Sequence, residues 1–237
     1  MSNFQAHPAR TPSGLHLYGN RIFLRSLTPA DFAAWSEVRA RNRDWLLVWE
    51  PQKFKHAPDP ETDQEAFRAR CALRDRERQN GSAYTFGLFV NNAFAGEMNI
   101  NMVQRGALMS GTIGYWIDQA QAGQSYTAEG VVVVSRYAFE DLGLHRLEIC
   151  IVPRNENSHR VMEKLDIRNE GTALRFLEIN GVWEDHVRYA ITIEEWQERR
   201  EELAMPGLVL VVQRVVRGHL VRLAIRDAKR VGRRPEE

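Results

Sequence analysis

The chain has 237 residues, 43% of them apolar and 27% charged, which suffices for one sizeable core or a core domain with an appendage. Its net charge of +1 excludes the uniformly basic make-up of a nucleic-acid coat or a membrane-surface binder. Two cysteines, Cys71 and Cys150, form no disulfide framework, neither they nor the seven histidines have metal-ligand spacing, and no signal pattern or membrane-length apolar run is present, so a cytoplasmic protein without metal or membrane attachment is expected.

Arg21 to Leu27 alternates as a strand does, and Thr28-Pro29-Ala30-Asp31 opens a helix with a hydroxyl cap, proline in its first turn, and Phe32, Trp35 and Val38 on the apolar face. After Pro51 a polar connection leads to Thr62-Asp63-Gln64-Glu65, a capping box for a second, highly charged helix ending near Asn80-Gly81. Ala83 to Val90 and Phe94 to Val103 read as a hairpin turned at Asn91-Asn92, where asparagines tolerate positive φ. Thr112 to Asp118 is the next strand, Tyr126 to Leu142 a helix stopped by Gly143, and His145 to Val152 a further strand broken by Pro153. Ser158 to Leu165 is a short helix, and Leu174 to Ile179 pairs with Val182 to Ile191 across Asn180-Gly181. The class is mixed α/β with mostly antiparallel strand neighbours.

Chemistry concentrates between Gly111 and Gly171. At Asp118 to Thr127 a buried strand gives way to small polar residues and then a helix; such a loop is either a plain turn or a site where helix-start amides meet phosphate, Gly123 letting backbone come close. The Walker and dinucleotide patterns are absent. The next strand ends in Asn155-Glu156-Asn157-Ser158, in which asparagine and serine are helix caps or hydrogen-bonding site residues.

Strand, glycine loop, helix, strand, then N-x-x-S and an apolar helix resembles the GNAT N-acetyltransferases, most closely the ribosomal-protein N-alpha-acetyltransferases of the RimJ and RimL type. Ile113-Gly114-Tyr115-Trp116, His145-Arg146-Leu147, Asn169-Glu170-Gly171 and Asn180-Gly181-Val182-Trp183-Glu184-Asp185-His186 support it in order, and it covers roughly residues 20 to 196. It implies the acyl-CoA N-acyltransferase fold, a mostly antiparallel mixed sheet splayed at the acetyl-CoA site and flanked by helices. It also implies transfer from acetyl-CoA to an amine in a ternary complex without a covalent acetyl-enzyme. In that frame Trp116, Ile117 and Asp118 offer backbone groups to pantetheine, and Ala122, Gly123, Gln124, Ser125, Tyr126 and Thr127 hold the pyrophosphate. Asn155 binds pantetheine or fixes its own turn, and Ser158 donates to the departing thiolate.

The attacking amine must be neutral, so a base is expected; Glu97 and Glu148, in predicted core strands, are the candidates, against the commoner reading of a solvent-facing strand carboxylate. Trp45, Trp49 and Glu50 lie where these enzymes build the acceptor wall, or the two tryptophans simply pack on the second helix. Tyr84 and Tyr115 read as site lining or as core. Cys150 has no accompanying histidine or aspartate arrangement and reads as a packed thiol. The chain departs from the family pattern in two places: Ser125 stands where a second small glycine or alanine is usual, and Asp166-Ile167 where Gly-Phe is usual. Aspartate at a helix C-terminus is expected to meet a positive φ and the unfavourable end of the helix dipole.

The expected organisation is an N-terminal segment 1–19, a catalytic domain 20–200 and a basic extension 206–237. From Pro206 onward eight basic residues face three acidic ones, leaving a mildly acidic body. Leu208 to Arg230 carries Val212, Val216, Leu220 and Leu223 at helical spacing, which reads as a helix docked on its own domain, a ribosome- or RNA-facing arm, or a homodimer arm. The acceptor is a protein N-terminus, in the family context a ribosomal protein, or alternatively a small amine or antibiotic; a CoA-binding regulatory protein of weakened catalysis is the third reading.

Overall fold

The computed structural model describes residues 14–52, 57–203, 211–216 and 219–224. Ten strands form one sheet: β1 (His16–Tyr18), β2 (Ile22–Arg25), β3 (Tyr84–Val90), β4 (Ala93–Gln104), β5 (Ser110–Ile117), β6 (Arg146–Ile151), β7 (Arg168–Ile179), β8 (Val182–Thr192), β9 (Val211–Val216) and β10 (His219–Ala224). Their order is β10-β9-β1-β2-β3-β4-β5-β6-β8-β7, antiparallel at every pair but β5–β6. The helices are α1 (Phe32–Arg41), α2 (Arg43–Leu47), α3 (Gln64–Asn80), α4 (Tyr126–Arg136), α5 (Glu156–Lys164) and α6 (Ile193–Leu203).

Every residue of β3 is buried, so the sheet is covered on both faces. One face packs on α4, α5 and α6, where Val131, Val133, Val134, Met98, Leu147 and Met162 form the main core. The other packs on α1 and α3 around Trp35, Phe67 and Phe89, with Trp35 and Phe67 ring centroids 4.9 Å apart. Burying a side chain of this size contributes on the order of 1.5–3 kcal/mol, so this second, smaller layer suffices to hold α1 and α3 against the sheet.

Both asparagine turns form as expected: Asn91 and Asn92 have φ of 49° and 65°, and Asn180 and Gly181 have 47° and 86°. The cap of α3 differs from expectation. Asp63, not Thr62, is the N-cap, its carboxylate accepting from the Glu65 and Ala66 amides, because one shared oxygen reaches both open donors. The C-terminal segment differs more: a hairpin of β9 and β10 stands where a helix was expected, β9 joining β1 at His16↔Gln213. Val211, Val212, Val215, Val216 and Val221 are β-branched and favour strands, and β1, itself unforeseen, offers an edge to pair with. The remainder of the basic extension lies outside the described residues.

Candidate active site

The site begins where β5 and β6 part. They pair only at Ser110↔Arg146, Gly111↔Leu147 and Thr112↔Glu148, although β5 continues to Ile117 and β6 to Ile151. On its other side β5 stays tightly paired with β4; a Cβ at Gly96 would fall on the Trp116 carbonyl oxygen, so only glycine permits that approach. A cavity of about 580 Å³ opens along the unpaired end of β5, lined there by Gly114, Tyr115, Trp116 and Ile117.

One end of the cavity is the start of α4, through Ala122, Gly123, Ser125, Thr127 and Ala128. The first amides of a helix lack intrahelical acceptors, and here the Ser125 side chain does not cap them. Gly123 has φ of 77° and open space around its missing Cβ. This end is therefore a cradle of free backbone donors with room for an anion. Ser125 itself is left-handed, at φ 65°, and its hydroxyl accepts from Lys164 Nζ at 2.5 Å. Gln124 and Tyr126 are not on the cavity wall. Instead Arg21 ties them down: its guanidinium donates to the Gln124 carbonyl at 3.0 Å, lies 4.8 Å from the Tyr126 ring centre, and pairs with buried Glu129 at 3.0 Å.

The side wall is α5. Asn155 caps it, Oδ1 accepting from the Ser158 amide at 3.2 Å, and both residues line the cavity; the cap and the cavity position coexist. Behind Ser158 is Tyr115, whose hydroxyl is buried and lacks a well-directed hydrogen bond. Burial pushes its phenol pKa well up, and the neighbouring Ser158 hydroxyl partly offsets this. At the far end of α5, Asp166 has φ of 47°, and the Ile167 amide bonds the Met162 carbonyl at 3.0 Å in a Schellman ending. Arg199 of α6 donates to the Leu165 and Asp166 carbonyls at 3.0 and 2.8 Å, bringing a cation to the negative end of the helix that Asp166 burdens.

Trp45, Trp49 and Glu50 also line the cavity. Arg39, nearly buried, grips Glu50 through two bonds of 2.6 and 2.7 Å and Glu61 through bonds of 3.0 and 2.7 Å. Burial alone would lower the Arg39 pKa, but the two carboxylates hold it above its ordinary value, so one permanent cation sits between two acids. Arg154 lies 4.7 Å from the Trp49 ring centre and pairs with Glu184 at 2.5 Å, while the Asn180 amide donates to the Glu50 carbonyl at 2.9 Å. The β7–β8 hairpin thus clasps the wall that carries Trp49 and Glu50.

Besides Gln124 and Tyr126, four expected site residues do not reach the cavity. Glu97 is buried and accepts from Trp35 Nε1 at 2.8 Å and from Arg70 at 2.8 and 2.7 Å; it joins α1 and α3 to the sheet. Glu148 pairs with Arg146 and Arg188, both at 2.8 Å. Burial would raise its pKa, but those two arginines outweigh it and keep the carboxyl below its usual range. Both carboxylates are therefore corrected from base candidates to ion-pair partners. Asp118 is likewise buried; burial opposes its ionisation, yet Arg41 at 2.5 Å, Asn42 at 2.8 Å and the Ala120 amide depress its pKa, and it fastens the end of β5 to α1. Tyr84 is core, its ring 5.7 Å from Tyr137 in an edge contact. Burial raises the Cys150 pKa, which suits packing and not nucleophilic attack. Asn99, not anticipated, does line the cavity; its only sequence signal is an amide on the alternation of a core strand.

A model of the acetyltransferase (GNAT) domain matches residues 21–168. The chain belongs to the GNAT acetyltransferase family. It is an acetyl-CoA-dependent N-acetyltransferase related to the ribosomal-protein acetyltransferases. It is 36% identical over 177 residues to the probable N-acetyltransferase YjcK of Bacillus subtilis, covering 74% of this chain and 96% of that one. Against the [ribosomal protein uS5]-alanine N-acetyltransferase of Escherichia coli it is 29% identical over 188 residues, covering 78% and 95% respectively. Among solved structures it matches RimJ of Mycobacterium smegmatis in complex with CoA-disulfide, with a TM-score of 0.69 and 30% identity over 76% of this chain and 86% of that one. Among the described residues no helix is long and apolar enough to cross a membrane, and no three His, Cys, Asp or Glu converge as a metal site.

Proposed function

We propose that this enzyme acetylates the N-terminal α-amino group of a protein, in the first instance a ribosomal protein, by direct attack of the amine in a ternary complex. The observation that carries the reading is a single cavity joining the uncapped start of α4 to the aromatic and acidic wall of Trp45, Trp49 and Glu50. The acetyltransferase of Escherichia coli with which the chain aligns acts by its name on an alanine of ribosomal protein uS5, a residue whose side chain has no amine to acetylate.

Acetyl-CoA supplies the thioester whose acetyl group moves to the amine. The amides of Gly123, Ser125 and Thr127, which line the cavity, bind the pyrophosphate, with Lys164 at the rim, and the unpaired backbone of Trp116 and Ile117 takes the amide-rich pantetheine arm as an added strand. Asn155, its oxygen used in the cap, has its amide NH₂ to donate to the same arm. As the C–N bond forms and the C–S bond breaks, Ser158 passes its proton to the departing sulfur and is restored through solvent by the proton that the attacking nitrogen sheds, so amide and free thiol result; Tyr115 behind it supplies a second hydroxyl. Glu50, oriented by Arg39, draws the positively charged N-terminus to the cavity mouth, where Trp45 and Trp49 flank it. The amine loses its proton to solvent water before attack, since neither Glu97 nor Glu148 faces the cavity.

The test is incubation of the purified protein with acetyl-CoA and peptides bearing ribosomal-protein N-termini, with fragment masses locating the acetyl group. Addition of one acetyl to the α-amine of a peptide is expected. Turnover of free small amines with every peptide untouched would overturn the reading.

A further inference from the structure

Asn99 is a polar side chain in a place that calls for an apolar one. It sits in β4 between Met98 and Ile100, which are fully buried in the main core, so by strand alternation it lies on the opposite face with Glu97. That is the face covered by α1 and α3, away from the face on which α5 packs. Its neighbour across the ladder in β5 is Gly114; both residues line the cavity, and the place a Cβ would take at Gly114 is bounded by Asn101 Nδ2 at 3.4 Å. Its Oδ1 is buried and has no hydrogen-bond partner. Thr85, its neighbour on β3, has a buried Oγ1 in the same condition, so the hydroxyl does not satisfy the amide.

A buried carbonyl oxygen without a donor is a standing cost unless something that visits the site satisfies it. An acceptor atom requires an N–H or O–H. The reacting end of a thioester presents a carbonyl oxygen and a sulfur, both without protons, and the pantetheine amides, added as a strand beside Trp116 and Ile117, are spent on that backbone. The arriving amine is the partner that carries N–H groups to the face of Asn99.

Resting on the reading of this cavity as an amine acetylation site, we propose that Asn99 is an acceptor-binding residue whose Oδ1 takes a hydrogen bond from the attacking nitrogen. One N–H held by a neutral oxygen fixes the direction of the nitrogen lone pair. A carboxylate in the same place would favour the ammonium form, which cannot attack; the amide orients the amine without that penalty. Asn99 thereby does part of the work that a base in β4 was expected to do, by orientation and not by proton removal.

The experiment compares the wild type with Asn99→Leu and Asn99→Asp in kcat/KM for the acceptor, across N-terminal peptides and small amines, with calorimetric Kd for acetyl-CoA and thermal unfolding of each variant. Asn99→Leu is expected to lower acceptor kcat/KM at least tenfold while the acetyl-CoA Kd stays within twofold. Asn99→Asp, which keeps an oxygen acceptor but favours the ammonium, is expected to lose acceptor kcat/KM more than twofold at neutral pH and to recover part of it as pH rises. Acceptor kcat/KM within twofold of wild type in both variants would overturn the proposal, as would a parallel loss of acetyl-CoA affinity, which would assign Asn99 to the pantetheine arm. If Asn99→Leu does not fold, the aspartate variant alone decides between these outcomes. Wild-type turnover confined to small amines would instead overturn the protein-N-terminus reading, and Asn99 would be judged on those amines.

Discussion

Lys164 Nζ donates to the Ser125 hydroxyl at 2.5 Å, tying the last turn of α5 to the left-handed residue that opens α4. The contact depends on serine standing where the GNAT pattern has a small residue without a hydroxyl. It holds the lysine at the rim of the anion cradle, bonded to the protein.

Replacing Ser125 by glycine removes both the side chain at φ 65° and the lysine's partner. A left-handed non-glycine residue costs about 1–2 kcal/mol, and the added freedom of glycine in the unfolded chain returns about 0.4–1. The variant is expected to be more stable by about 0.5 kcal/mol and to bind acetyl-CoA several-fold more tightly, because Lys164 is free to meet phosphate. Calorimetry and thermal unfolding of the two proteins check this; weaker binding would mean that the Ser125 contact positions the lysine for its ligand.

Asp166 holds φ of 47° at the C-terminus of α5. Asp166→Gly relieves the left-handed strain and removes an anion from the negative end of the helix, worth roughly 0.3–1 kcal/mol of dipole interaction by itself. A net gain of about 1 kcal/mol is expected, seen as a melting temperature higher by about 2–4 °C. Arg199→Ala is expected to move it the other way, since the two carbonyls at the helix end lose their donor.

Ser158→Ala is expected to reduce turnover at least tenfold with acetyl-CoA affinity nearly unchanged, the pattern of a group that acts on the leaving sulfur. Tyr115→Phe is expected to lower turnover less. Single-turnover rates alongside calorimetry separate the two effects.

Glu97→Ala leaves Arg70 and Trp35 Nε1 without their shared acceptor beneath α1 and α3. A loss of about 2–3 kcal/mol in denaturant unfolding is expected, since Arg70 retains some exposure and water relieves part of the penalty of an unpaired buried charge. A catalytic base would give the reverse signature, normal stability with turnover abolished.

The Arg146 guanidinium beside Glu170 holds that carboxyl down at about 2, aided by Arg168. The folded pKa lies below the ordinary value of 4.5, so the contribution is complete above that pH and is lost as pH falls toward 2. Arg146→Gln is expected to flatten the stability profile in that window, measured by urea unfolding at successive pH values.

What could be read from sequence followed the range of the interaction. Asn91-Asn92 and Asn180-Gly181 act through their own backbone, and both turns formed at those residues. Positive φ at Asp166 was legible for the same reason, whereas the help from Arg199, 33 residues away, was not. Glu97 was misread because Arg70, which claims it, is 27 residues away and meets it only in the folded sheet; for Glu148 the distant partner is Arg188, while Arg146, two residues off on the same strand face, was a signal already in the sequence. The four-residue spacing of Val212, Val216 and Leu220 fits a helical stripe, but their β-branched setting and the open edge of β1 favour strands, and that edge was itself invisible. Asn99 gave little signal, because its meaning depends on Gly114 across the ladder.

In the proposed reaction the cavity brings a protein N-terminus to the acetyl group. Mass spectrometry of N-terminal peptides from cells with and without the protein tests it most directly. Loss of acetylation at the N-terminus of one or a few proteins, ribosomal proteins foremost, is the expected result. An unchanged set of acetylated N-termini, with a free small amine turned over by the purified enzyme, would contradict it.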